Sequence, residues 1–215
     1  MADGRIPDHP MRQQLWSQLS CALLDDGSIV CWGQNDHGQL GDGTTTDKSN
    51  PTQTTSLGNG RSAIAIDVGP NHSCAVLDDG SVACWGNNQW GQLGDGTTTQ
   101  RTTPTQTGSL GPSRTAISVG VGYAHTCALL DDGTVACWGQ NADGRLGDGT
   151  NTERHLPTQT SSFGTGRTST GISLGHQFSC ALLDNHTISC WGDNSDGRLG
   201  VYDGVDDDIG DESGE

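Results

Sequence analysis

Eight cysteines carry the widest chemical scope in this chain, at Cys21, Cys31, Cys74, Cys84, Cys127, Cys137, Cys180 and Cys190. Paired thiols can hold a metal ion or join as disulfides. Zinc sites commonly use two cysteines separated by two to four residues, with a further Cys or His nearby. Here each pair is 10 positions apart, and no third ligand repeats beside all four. A disulfide framework is therefore the better reading: Cys21–Cys31, Cys74–Cys84, Cys127–Cys137 and Cys180–Cys190. Disulfides persist in oxidising compartments, so the protein is expected outside the cytosol, extracellular or on a cell surface.

Other reactive side chains point less far. His72 and His125 sit two residues before a cysteine, 53 positions apart. No Asp or Ser recurs with them in a catalytic pattern, which favours a structural hydrogen-bonding role. The acidic loop from Asp143 to Asp148 does not fit the spacing of a calcium-binding loop, and no cofactor or metal is expected. Asn71-His72-Ser73 and Asn185-His186-Thr187 satisfy the glycosylation sequon, a short pattern of low specificity. Nothing resembles an enzyme's nucleophile with its base, and a non-enzymatic protein is expected.

The elements that hold these residues follow from the repeat, since each cysteine pair lies 53 positions from the next. Every unit reads like Ser73-Cys74-Ala75-Val76-Leu77, then Asp78-Asp79-Gly80, then Ser81-Val82-Ala83-Cys84-Trp85-Gly86. Asp-Asp-Gly fits a three-residue hairpin loop whose last residue is left-handed, a conformation open to Gly27, Gly80 and Gly133. The fourth copy has His186 there. A hairpin closed at Asp79 sets Leu77 opposite Ser81, Val76 opposite Val82 and Cys74 opposite Cys84. That is a non-hydrogen-bonded site, where Cα atoms approach to about 4.5 Å and a disulfide can close. Trp32, Trp85, Trp138 and Trp191 follow the second cysteine of each pair, so they point to the opposite sheet face, toward a neighbouring unit.

Two further strands complete each unit. Ile64, Ile66 and Val68 alternate as a half-buried strand would, as do Ile117, Val119 and Val121, with Thr170, Ile172 and Leu174 a weaker version. After each hairpin come a Gly-rich loop and a segment led by Pro51, Pro104 or Pro157, which suits the first residue of an outer strand. The expected fold is all-β: four-stranded antiparallel blades of a β-propeller, in four 53-residue repeats, making a partial or oligomer-completed ring. The repeat domain is expected over 20–200, with hairpin cores at 20–33, 73–86, 126–139 and 179–192. Residues 1–19 form an atypical N-terminal segment without the Ile-x-Ile-x-Val strand, and 201–215 an acidic, disordered tail.

With the string from Gly69 to Gly96 in view, the chain resembles the family of regulator-of-chromosome-condensation repeats. The matching residues are Gly69, His72, Asp79, Gly80, Trp85, Gly86, Asn88, Gly91, Gln92, Leu93 and Gly94. The likeness spans about Ser20 to Gly200. It implies a propeller, commonly of seven blades, in a family that includes nuclear exchange factors, plant photoreceptors and secreted bacterial inhibitors of β-lactamase. The chain departs from that pattern by having four motifs and a cysteine pair in every one.

Composition narrows the partners. A net charge of −16 repels phosphate backbones and anionic lipid headgroups, which excludes nucleic acid as a partner. No stretch approaches the length of a membrane span, and Met1 to Pro10 lacks the apolar core of a signal peptide. Against the constant repeat, the loop after each Trp-Gly changes at its tip: Asp36-His37, Gln89-Trp90, Ala142-Asp143 and Ser195-Asp196. Variable loops on a rigid scaffold suit recognition, and Trp90 is the best anchor. The expected function is binding or adhesion to a protein or glycan, with self-assembly through open blade ends as the alternative; a secreted enzyme or enzyme inhibitor is the least favoured.

Overall fold

The structure is a computed structural model that describes residues 13–16, 18–58 and 60–200, the first four as backbone alone. Its strands fall in chain order into antiparallel sheets, each strand pairing with the next. Blade 1 holds β1 (Gln13–Trp16), β2 (Leu19–Leu23), β3 (Ile29–Gly33) and β4 (Lys48–Gln53). Blade 2 holds β5 (Ala63–Val68), β6 (His72–Leu77), β7 (Val82–Gly86) and β8 (Arg101–Gln106). Blade 3 holds β9 (Ala116–Val121), β10 (His125–Leu130), β11 (Val135–Gly139) and β12 (Arg154–Gln159). Blade 4 has three strands among the described residues: β13 (Ser169–Leu174), β14 (Phe178–Leu183) and β15 (Ile188–Gly192). The chain is all-β, with propeller-type blades.

The hairpin register is the one the loop length dictates. Cys74 faces Cys84, Ala75 faces Ala83 and Val76 faces Val82. Gly27, Gly80 and Gly133 turn with φ of 77°, 76° and 76°. A Cβ on Gly80 would stand 2.3 Å from Thr115 Cβ, so the lead-in of the next blade also demands glycine. His186 takes the same conformation, with φ of 67°, in the blade that no described blade follows. Its Cβ strain is local to the turn.

Three expectations about the flanking strands change. Ile64 and Ile117 are both 54% exposed, because a bulge follows Ala63 in β5 and a register shift at the matching place alters the β9 ladder. The extra residue turns each isoleucine outward, and Ala63, Ile66 and Val68 fill the core instead. The prolines lie inside the outer strands, not at their start: Pro51 falls between Lys48 and Thr52, where the ladder to β3 is interrupted and no N–H is needed. The N-terminal segment also supplies a strand, with Gln14 opposite Cys21 and Trp16 opposite Leu19. The acidic tail of 201–215 lies outside the described residues.

The core lies between blades. Leu19, Ile29 and Leu40 of blade 1 pack on Ile66, Leu77 and Trp85 of blade 2. Val76, Val82 and Leu93 meet Val119, Leu130 and Trp138 of blade 3. Leu129, Val135 and Leu146 meet Ala181, Leu183 and Trp191 of blade 4. Each joint thus closes the cysteine face of one blade on the tryptophan face of the next, which is why apolar residues making up only 31% of the chain suffice.

Candidate binding face

Beyond each third strand the Gly-rich loop is held by one buried asparagine. Asn88 Nδ2 donates to the Thr97 and Thr99 carbonyls, both at 3.0 Å, while its Oδ1 accepts the Leu93 N–H at 2.9 Å. Asn35 and Asn141 make the same bonds in their own blades. An aspartate finishes the clamp: Asp95 accepts from Thr97 Oγ1 at 2.7 Å and Arg101 Nη2 at 2.6 Å. A satisfied buried amide fixes the loop backbone, so the tip beyond it is presented in one geometry.

The tips stand at the end of the sheet where β7 finishes and β6 begins, so the turns joining first and second strands share that end. Asp36, Gln89, Ala142, Ser195 and Asp196 are exposed there, with His37, Trp90 and Asp143 half-buried. Each tip is pinned from below. The Trp90 N–H donates to Gln92 Oε1 at 2.9 Å, and the His37 N–H donates to Gln39 Oε1 at 2.9 Å. Arg145, buried, bonds Gln140 Oε1 at 3.0 Å and pairs with Asp143. Arg198 reaches Asp196 at 3.2 Å. Asn87 Nδ2 and His37 Nδ1 lie 3.4 Å apart, linking the tips of blades 1 and 2.

Two residues that repeat analysis overlooked join this end. Tyr123 and His176 occupy equivalent turns of blades 3 and 4 and stack with ring centroids 4.1 Å apart. Both are exposed. Partial burial, with Arg145 and Arg198 nearby, holds the His176 imidazole below its ordinary pKa, which favours its neutral form near pH 7. The signal was present in the sequence: the inter-strand turn reads Pro70, Tyr123 and His176 at equivalent positions, as variable as the tips.

The recurrent histidines face the joints and not this end. His72 Nε2 is hydrogen-bonded to Thr126 Oγ1 at 2.8 Å, and His125 Nε2 to Ser179 Oγ at 2.9 Å. Thr126 spends its single proton on the Gln92 carbonyl at 2.9 Å, so the imidazole must be the donor. Burial drives the His72 pKa down to about 3 and holds His125 well below the ordinary value, leaving both neutral. Asp67 is a carboxyl set into the joint between blades 2 and 3. Burial pushes its pKa up to about 6, against the hydrogen bonds it accepts from the Val121 and Val68 N–H groups. The Val121 bond, at 2.7 Å, crosses from blade 3 to blade 2.

The structure joins all four cysteine pairs within their hairpins, each with Cα atoms 4.1 Å apart, and leaves no cysteine free. The sequon at Asn71 leads into buried His72 and Ser73, whereas Asn185 stands exposed in a hairpin turn. Among the described residues no helix is long and apolar enough to cross a membrane.

Comparison with known proteins agrees with this architecture. The regulator of chromosome condensation (RCC1) repeat pattern matches residues 26–76, 79–129 and 132–182. The ultraviolet-B receptor UVR8 of Arabidopsis thaliana is 30% identical over 191 residues, which are 88% of this chain and 42% of the receptor. The E3 ubiquitin-protein ligase HERC2 of Homo sapiens is 32% identical over 180 residues, 83% of this chain but 4% of the ligase. The chain therefore spans less than half the length of these relatives. In solved structures, yeast RCC1 (Prp20) bound to Kap60 superposes with a TM-score of 0.80 at 20% identity, covering 95% of this chain and 48% of that one. Human WBSCR16 does so at 0.78 and 24%, covering 95% and 53%. With the repeat pattern matched three times over more than half its length, and every match falling on the blades, the chain belongs to the regulator of chromosome condensation (RCC1) repeat family.

Proposed function

We propose that this chain is a non-enzymatic binding module that recognises a protein through the end of the propeller carrying Asp36-His37, Gln89-Trp90, Ala142-Asp143 and Ser195-Asp196, with Tyr123 and His176 at its inner margin. The observation that carries the reading is the contrast between an invariant buried Asn clamp and the different residues it holds out in each blade. A rigid platform loses little ordering entropy on binding, so several modest contacts add up. Proteins of the same fold give it support, since a yeast relative was described with its binding to Gsp1p and histones. Four hairpin disulfides favour work in an oxidising compartment, outside the cell or at its surface. The repeat region of 20–200 is the working domain, and a glycan is the second ligand class.

The test begins with a partner captured by pull-down or a glycan array. Trp90→Ala is expected to weaken binding by about 2 kcal/mol, near thirtyfold, if the indole enters a pocket. Unchanged affinity after replacing all four tip pairs in a folded, oxidised variant sinks the assignment. A second reading, self-association through the blade ends, is favoured by one observation: Leu182 and Ile188 on the cysteine face of blade 4 are 43% and 70% exposed, where their counterparts Val76 and Val82 are buried.

A further inference from the structure

The three joints inside the molecule are one contact made three times. Trp85, Trp138 and Trp191 each donate the indole N–H to a carbonyl in the preceding blade's loop: Gln39 at 2.9 Å, Gln92 at 2.9 Å and Arg145 at 3.0 Å. The same carbonyls accept the hydroxyls of Ser73, Thr126 and Ser179. Two residues further on, Gly41, Gly94 and Gly147 lie under the indole so closely that a Cβ on any of them would come within 2.7 Å of Nε1. Indole and glycine seat are thus matched in shape and in hydrogen bonding.

The first and fourth blades each hold one half of that contact, which no described blade completes. Blade 4 repeats the seat as Arg198, Leu199 and Gly200; Gly200 has the left-handed φ of 80°, and a Cβ there would meet no described heavy atom within 4 Å. Blade 1 repeats the knob as Trp32 with Ser20, and Trp32 is half-buried where its three counterparts are buried. Below the Gly200 seat, Leu182 and Ile188 extend the apolar face that Leu129 and Val135 present, fully covered, one blade earlier. Phe178 takes the place of the joint histidine, and this is no obstacle: the first joint has Leu19 at that position, and Ser73 still donates to Gln39 at 2.8 Å.

We infer that a second copy of this chain docks head to tail, with Trp32 of one copy on the Gly200 seat of the other and blade 1 closing over Leu182 and Ile188. The inference rests on the self-association reading above and fixes its polarity. One corner differs from the internal joints. The hairpin turn that is glycine in the other copies is His186 here, so the contact pivots on the seat and stays open at that turn. A net charge of −16 opposes association at long range, so the apolar contact tightens as salt is raised.

The experiment is sedimentation of the full oxidised chain at high micromolar concentration. The chain itself is expected to exceed the mass of a single copy. Ile188→Asp blocks the tail and Trp32→Ala the head, so each variant alone runs as a single copy. An equal mixture restores one intact joint and gives a one-to-one dimer. Leu182→Asp serves as a second tail-blocked variant, and four intact disulfides with an unchanged thermal midpoint show that each is folded. His186→Gly relieves the open corner and tightens association several-fold. A single-copy mass for the unaltered chain overturns self-association altogether. An unaltered chain that assembles, while either variant still assembles alone or the mixture fails to pair, overturns the head-to-tail arrangement only.

Discussion

At the scale of single residues, the joint carbonyls show how little sequence is needed to specify a contact. The Gln39 carbonyl accepts two donors from blade 2, Ser73 Oγ at 2.8 Å and Trp85 Nε1 at 2.9 Å. Ser73→Ala or Trp85→Phe alone leaves the buried carbonyl one partner, for a cost of about 1 kcal/mol from the hydrogen bond. Removing both leaves it bare, so the double variant is expected to lose more than the sum, by roughly 1 kcal/mol or more in denaturant unfolding. Strict additivity would show that the two bonds act independently. The residue types at this contact were legible in the sequence, because Trp85 and Ser73 recur at fixed spacing. Their partner was not: a backbone carbonyl 46 positions away from Trp85 carries no side-chain signature. The same holds for His72, whose hydroxyl partner Thr126 lies 54 positions on.

At the scale of the strand and hairpin, legibility follows the strength of the local constraint. A three-residue turn with glycine in the left-handed position leaves one register, and the cysteines meet as that register requires. The inner strand has no such anchor. Ala63 and Ile64 are both apolar, so alternation alone could not say which faces in, and the bulge reversed the choice. In β1 the run Gln13-Gln14-Leu15-Trp16 shows no alternation at all, and pairing to β2 overrides it. The four hairpins are also unequal in cover. Six cysteines of blades 1 to 3 are buried to 1% exposure or less, whereas Cys180 and Cys190 are only partly buried. Brief treatment with reductant at low protein concentration, followed by alkylation and peptide mapping, is expected to label Cys180 and Cys190 first, at least about tenfold faster than the others. Equal labelling of all four pairs would mean that hairpin opening, not cover, controls access.

At the scale of the whole molecule, the joints make stability depend on pH through buried groups of opposite habit. His72 and His125 stay neutral in the fold, while an unfolded chain takes up their protons below pH about 6.5. Their contribution is therefore complete above that value and is lost as pH falls. Asp67 works the other way. Its carboxyl, pushed up to about 6, favours the fold once protonated, and that contribution fades as pH rises through 6. Two histidines against one carboxyl predict a net loss of roughly 2–3 kcal/mol between pH 7.5 and 5, read from urea midpoints. Asp67→Asn should be more stable at pH 7.5 and fall more steeply on acidification; a pH-independent midpoint would contradict both assignments. The repeating knob and seat have one more consequence, for the history of the gene and not for its chemistry. Because each joint takes its seat from one unit and its knob from the next, an in-register duplication or deletion of 53 codons rebuilds a matched joint at the splice without any compensating substitution. Blade number can thus drift by unequal crossing-over between similar repeats, while each variant inherits the matched knob and seat.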